Sequence, residues 1–301
     1  MNRQAAQINQ IARQEGWRIA AEAAASTAED PVQQLEFITS EARADFQFLL
    51  PVNREAVVLD LDGGWGNQTV SFARTCKQVY RLDPAPWKME FTRIRAAQEG
   101  LTNITCIQSH PAEIPLPMNS CHIALLTKTR MDETWKDQSS LEGAYYFQVL
   151  RAIWQRLVPG GCVFINVENR FSYQHLLGSR VPPSNLRFIT LLPPSLARFY
   201  ARQFRGVEYP DFTSTPQRIK TILNETGFTK LMVFFQVPVY PGFRFLADIN
   251  SREATNFLIS RLRVHSDFSW HSYVLSRIAS AIGVLPYLAP GFCMLAYKES
   301  N

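Results

Sequence analysis

The amino-acid sequence predicts an α/β protein built on a doubly wound, mostly parallel sheet. Three observations carry that expectation. From Glu55 to Val167, short apolar runs rich in β-branched residues alternate with stretches of helical periodicity, the pattern of βαβ units. The first run, Val57 to Leu61, passes into Asp62-Gly63-Gly64-Trp65-Gly66 and then into Gln68-Thr69-Val70-Ser71-Phe72, so that strand, glycine turn and helix follow one another. The second run closes on an acid, Asp83, about 20 residues beyond the turn.

The elements follow in order. Residues 4–25 read as one helix, with Ile8, Ile11 and Ile19 among alanines, and a second starts after Asp30-Pro31, an N-cap and first-turn pair. That second helix spaces Val32, Leu35, Ile38, Ala42, Phe46 and Leu49 at threes and fours, so one face is buried. Two readings of the pair stand side by side: a cover for one edge of the core, or a lid over the glycine turn. Beyond Glu55 the expected elements are strands at 57–61, 78–82, 104–108, 123–126 and 162–167, with helices at 68–75, 87–100 and 141–157.

Composition narrows the class. A chain of 301 residues, 46% hydrophobic and 19% charged, buries a sizeable core. The net charge of +5 and pI near 9.0 suit an acidic partner, but the basic residues are scattered. Arg198, Arg202 and Arg205 at helical spacing read as a solvated face, and no basic run or motif points to nucleic acid. Five cysteines without a C-x-x-C pair argue for reduced thiols, with Cys106, Cys162 and Cys293 inside apolar runs. His265 and His271 lack the cysteines or clustered acids of a metal site. The opening Met1-Asn2-Arg3-Gln4 leads into a polar Ala/Gln-rich helix, and no apolar stretch reaches the roughly 18 residues that would span a membrane. A cytoplasmic protein is expected.

The glycine turn suits a nucleotide-like ligand. Glycines let the backbone turn sharply and approach a ligand where a Cβ would intrude, and the helix that follows presents unpaired N–H groups. Asp83, closing the second strand, is placed to accept hydrogen bonds from ribose hydroxyls; the plainer reading is that Asp83-Pro84 only starts a turn. A dinucleotide fingerprint needs a small residue where Thr69 stands, and no Gly-Lys-Ser/Thr follows to make a P-loop. The order acid-x-x-x-Gly-x-Gly from Asp60 leaves S-adenosylmethionine as the ligand.

At this point the chain resembles a class I S-adenosylmethionine-dependent methyltransferase. Leu116-Pro117-Met118-Asn119-Ser120 precedes the fourth strand as in that family, and Val149 to Phe164, through Pro159-Gly160-Gly161, is similar to its helix, turn and fifth strand. Val167-Glu168-Asn169-Arg170-Phe171, Leu176-Leu177-Gly178 and Leu186 to Pro193 resemble a bacterial subgroup with a Glu-Asn-Arg segment after the fifth strand. Pro290 to Lys298 looks like the family's last strand.

The resemblance implies a seven-stranded Rossmann-like sheet with an antiparallel last strand, N-terminal helices and a C-terminal insertion. It divides the chain into a helical cap, 1–50, and a methyltransferase-like domain, 51–301, whose core is 51–180 with 215–236 and 290–298 and whose insertion is 237–289. It implies methyl transfer to a small-molecule acceptor, in bacterial specialised or cell-envelope metabolism. The cofactor-binding residues it implies are Asp60, Asp62, Gly63, Gly64, Trp65, Gly66, Asp83 and His110. Asp62 stands where the family's first turn glycine is usual, His110 where an acid meets the adenine amine, and His122 where an acid precedes the fourth strand.

For the acceptor, Glu168, Asn169, Arg170, Tyr173 and His175 follow the fifth strand. Glu168 or His175 would orient or deprotonate the acceptor and Arg170 would pair with an anionic group on it; alternatively Glu168 and Arg170 tie down their loop. Two other functions stay open: a methyltransferase-like binding or scaffolding partner without catalysis, and an enzyme of this fold with a different reaction. A homo-oligomer or a protein partner is compatible with either.

Overall fold

The computed structural model describes residues 2–28, 30–61, 63–127, 142–181, 184–207, 209, 213–237, 245–262, 278–281 and 283–300. Asp62 and much of the expected insertion, including His265 and His271, lie outside the described residues. The chain folds into two units. One comprises Met1–Ile165, Leu223–Lys230 and Ala296–Asn301, and the other Asn166–Ile222 and Leu231–Leu295.

The main sheet is built from β1 Val57–Leu61, β2 Gln78–Leu82, β3 Ile104–Ile107, β4 Cys121–Leu126, β5 Leu157–Glu168, β8 Phe228–Val237, β9 Phe245–Asp248 and β10 Gly291–Lys298. Its strand order is β3-β2-β1-β4-β5-β10-β8-β9. The short β6 Arg180–Val181 and β7 Leu186–Arg187 pair apart from it. β1 pairs in parallel with β2 on one side and with β4 on the other, so the chain reverses its winding there. The carboxyl ends of β1 and β4 therefore form the crevice where open α/β sheets hold ligands.

The sheet is mostly parallel with an antiparallel last strand, as expected. An eighth strand joins the seven foreseen: β9 comes from within the expected insertion and pairs antiparallel with β8, Phe235 opposite Ala247. β5 begins at Leu157, five residues before the expected strand, because the Pro159-Gly160-Gly161 stretch stays in strand. The ladder absorbs it by a register shift between Cys121 and Ile123 of β4.

The first unit also holds helices α4 Asn67–Ala73 and α5 Pro86–Gln98, which pack on its sheet strands, and α6 Glu142–Arg156. The N-terminal segment departs from the expected two helices. Gly16 at φ 109° breaks the first into α1 Asn2–Gln14 and α2 Trp17–Ala25, a backbone angle that glycine adopts without Cβ strain. Asp30 caps α3 Pro31–Thr39 as its sequence foretells, accepting the Gln33 N–H at 3.0 Å. Ser40 then turns extended, and Glu41–Leu49 continues as a 3-10 helix.

Apolar faces of α1, α2 and α3 meet α5 through Ile8, Ala12, Trp17, Ile38, Phe91 and Ile94. Polar ties fix the docking: the Asn9 amide donates to the Trp87 carbonyl at 3.0 Å, and Gln98 to that of Ala12 at 2.7 Å. Phe46 of the 3-10 helix stacks on Phe164 of β5 with ring centres 4.2 Å apart.

In the second unit, α7 Tyr173–Leu176, α8 Pro194–Arg205 and a 3-10 turn, Ile189–Leu191, surround a small core of Val181, Ile189, Ala197, Ala201 and Tyr209. No helix among the described residues is long and apolar enough to cross a membrane.

Candidate functional site

Asp60, at the end of β1, is fully buried, and its Oδ2 accepts the Thr69 hydroxyl at 2.6 Å. That carboxylate dictates the turn. A Cβ on Gly63 would stand 2.2 Å from Asp60 Oδ2, so only glycine fits. Gly66 has φ 83° and ends the turn, its N–H donating to the Gly63 carbonyl at 3.0 Å, while a Cβ there would meet Thr92 Oγ1 at 2.9 Å. Gly64, at φ 59° and half-buried, has only Arg43 Nη1 near its absent Cβ, at 4.0 Å. The space a Cβ would take at Gly64 is thus open to a close approach. The Trp65 ring sits edge-on to Trp87 and Phe91, with centres 5.2 and 5.0 Å apart.

Asp83 is buried beside this turn, and the link between them is Arg81. Its guanidinium donates to Thr69 Oγ1 at 3.1 Å, to the Gly64 carbonyl at 2.6 Å and to Asp83 Oδ2 at 3.3 Å. Asp83 Oδ1 accepts the Ala85 N–H at 2.8 Å, and Lys88 Nζ lies 4.0 Å from Oδ2. Arg81 is wholly buried, so its charge requires such partners. The arrangement also explains Thr69: one hydroxyl serves as donor to Asp60 and acceptor for Arg81. Sequence reading missed Arg81, although strand alternation puts residues 81 and 83 on one face of β2.

His110 follows β3, half-buried; its Nδ1 accepts the Ala112 N–H at 3.4 Å and its ring lies edge-on to Tyr145 at 5.7 Å. His122 accepts the Val57 N–H on Nδ1 at 3.1 Å, a structural role at the exposed entrance to β1.

In the second unit, the stretch after β5 is organised by Asn169. Its side-chain amide donates to the Tyr287 and Ala289 carbonyls at 2.7 and 2.8 Å, and its Oδ1 accepts the Phe171 N–H at 3.1 Å. Glu168, half-buried, ends β5 and gives its carbonyl to Ser214 N–H at 3.1 Å. Arg170 donates from its guanidinium to the Leu192 carbonyl. Tyr173 and His175 stand half-buried on α7.

Near the same end of β5, Cys293 Sγ lies 3.4 Å from Gln236 Oε1 and 3.7 Å from Asn166 Oδ1, all three buried. Burial pushes the Cys293 thiol well above its ordinary range and the Cys162 thiol up to about 12. Neither is a nucleophile near neutral pH.

The strand order and the strand, glycine turn and helix at the winding reversal define the fold of class I methyltransferases. Residues 59–165 match a family model described as a methyltransferase domain. Among solved structures, the chain is similar to the phosphoethanolamine N-methyltransferase 2 of Haemonchus contortus, in complex with phosphomonomethylethanolamine and S-adenosylhomocysteine. The TM-score is 0.51 at 16% identity, covering 97% of this chain and 59% of that one. A second structure of that enzyme, with S-adenosyl-L-methionine, gives 0.50 at 15% identity, covering 98% and 60%. A sarcosine dimethylglycine methyltransferase assigned in Galdieria sulphuraria gives 0.49 at 17%, covering 90% and 89%. The chain thus spans about 59% of the length of the Haemonchus enzyme. No curated protein matches it.

Proposed function

We propose that the chain is an S-adenosylmethionine-dependent methyltransferase acting on a small-molecule acceptor, with 1–50 as a cap on a catalytic domain, 51–301. The observation that carries this reading is the pairing of a turn open on the Cβ side of Gly64 with the buried Asp83 carboxylate, joined through Arg81. Asp60, Gly63 and Gly66 build the turn, and the ribose would share Asp83. Trp65 and His110 would border the remaining cofactor surface. The matched methyltransferase domain over 59–165 supports the same assignment.

Bound there, the cofactor supplies an electrophilic methyl group, and the chain's task is to align it with the acceptor and exclude water. Glu168, Arg170, Tyr173 and His175 are the proposed acceptor residues, with Glu168 or His175 taking a proton where the acceptor must lose one. The bacterial specialised or cell-envelope setting belongs to the same proposal.

The test of the ribose assignment is Asp83→Ala titrated calorimetrically with S-adenosylhomocysteine. Loss of charge-assisted hydrogen bonds of about 1.5–3 kcal/mol weakens binding roughly ten- to a hundredfold. Unchanged affinity refutes the assignment.

A second reading has one observation in its favour: Asp83 already holds Arg81 and the Ala85 N–H. A chain that keeps the fold as a binding partner and has given up catalysis accommodates that pairing, and it predicts no affinity for either form of the cofactor.

A further inference from the structure

The first unit carries a pocket of about 310 Å³ that the cofactor reading leaves unused, a volume at the small end of the range for ligand sites. Helix α6 contributes Phe147, Arg151, Trp154 and Gln155, and α9 Pro216–Thr226 ends in its other two lining residues, Glu225 and Thr226. α6 runs directly into β5, so Arg151, Trp154 and Gln155 stand at the amino end of that strand. The crevice lies beyond the carboxyl ends of β1 and β4, and β4 and β5 are parallel. The pocket and the crevice therefore belong to opposite ends of the sheet.

The aromatic wall is held in place by the protein itself. The Trp154 indole N–H donates to the Gly227 carbonyl at 3.2 Å, and a Cβ on Gly227, at φ 107°, would stand 3.2 Å from that nitrogen. Lys298 Nζ lies 4.1 Å from the centre of the Trp154 ring and donates to the Trp154 and Leu157 carbonyls at 3.0 and 2.7 Å. A ring fixed in this way offers apolar contact at little cost in ordering.

Two opposite charges face the same space. Arg151 is exposed, and its side chain makes no hydrogen bond or ion pair with a described residue. Its neighbours one turn away on α6 are Phe147, Gln148, Trp154 and Gln155, none of them acidic. Glu225 is exposed and likewise unpaired among the described residues, and the last turn of α9 carries no basic side chain. The nearby bases are engaged or displaced: Arg156 donates to the Ile114 and Leu116 carbonyls and to Gln155 Oε1, Lys230 lies over the Tyr297 ring, and Lys220 is more than one turn back along α9. The carboxyl end of α9 adds its own partial negative charge beside Glu225.

We infer that this pocket binds a free α-amino acid with an apolar side chain. The carboxylate of the ligand meets the Arg151 guanidinium, a planar fork suited to it. Its ammonium group meets Glu225 and the end of α9, and its side chain rests on Trp154 and Phe147. A simple anion leaves Glu225 uncompensated, and a simple amine leaves Arg151 so; a zwitterion satisfies both. The site is independent of the cofactor reading.

Calorimetric titration of the full chain with L-phenylalanine tests it. The chain binds one molecule saturably. L-Phenylalaninamide, which lacks the carboxylate, and N-acetyl-L-phenylalanine, which lacks the ammonium group, each bind about tenfold more weakly. Arg151→Gln weakens phenylalanine about tenfold and leaves the amide unchanged, and Glu225→Gln weakens phenylalanine equally and leaves the N-acetyl compound unchanged. Both variants keep the wild-type melting temperature, because the altered side chains are exposed.

Absence of saturable phenylalanine binding overturns the proposal, as does equal binding by the wild type and the two variants. Two other results also overturn it: an amide that binds as tightly as the free amino acid, and displacement of phenylalanine by S-adenosylhomocysteine, which would put the amino acid in the crevice.

Discussion

Asp60 and Gly63 show how one side chain sets the geometry of a site. The buried carboxylate leaves no room for a Cβ at position 63, 2.2 Å away, so the glycine follows from the acid. Gly63→Ala therefore costs about 1–3 kcal/mol of stability, the range for overpacking, and lowers the denaturant midpoint at unchanged slope. An unchanged midpoint would contradict the close approach. The sequence displayed this acid and these glycines, but not what binds them together. Arg81 was illegible because an arginine inside a strand reads as exposed. Only its partners, Thr69 Oγ1, the Gly64 carbonyl and Asp83, account for its burial.

Among the elements, the stretch after β5 is the clearest case of a structural residue inside a suspected catalytic segment. Asn169 joins it to the Tyr287 and Ala289 carbonyls. Asn169→Ala leaves both without that donor and costs about 2–4 kcal/mol in thermal or chemical unfolding. Asn169→Asp is worse, since a carboxylate then faces two carbonyl oxygens. Equal stability of wild type and both variants would refute the bracing role. From sequence alone Asn169 stood among the candidate acceptor residues without a role of its own, because hydrogen bonds to carbonyls 118 and 120 residues away leave no local pattern.

Two solvent-exposed ion pairs at the N-terminal helices titrate and add a small share of stability. Glu90 meets Arg13 of α1 at 2.6 Å, and Glu41 of the 3-10 helix meets Arg74 at 2.6 Å. The hydrogen bond from each arginine holds its carboxylate below the usual range. A lowered folded pKa gives stability that is present above the ordinary carboxylate value and is lost as the pH falls through the lowered one. Melting temperature should therefore decline from about pH 5 downward, and Arg13→Gln and Arg74→Gln should flatten that decline. Parallel pH profiles for wild type and both variants would exclude these pairs as the cause.

At the scale of the whole molecule, the alternation of strand and helix between Glu55 and Val167 was enough to foresee the parallel sheet, because its period is local. What escaped depended on distant or subtle features. Gly16 breaks a helix whose alanines and isoleucines argue for continuity, and β9 is a four-residue strand within a segment without clear alternation. Of the candidate site, the turn and Asp83 were legible as a strand-end pattern. The buried polar group of Asn166, Gln236 and Cys293 was not, since its members stand far apart in the chain.

Everything proposed for the chemistry rests on the crevice beyond β1 holding S-adenosylmethionine. Calorimetric titration of the folded wild-type chain with S-adenosylmethionine and with S-adenosylhomocysteine probes that directly. Saturable binding of both, at one site per chain, is the expected outcome. A well-folded sample that binds neither would contradict it.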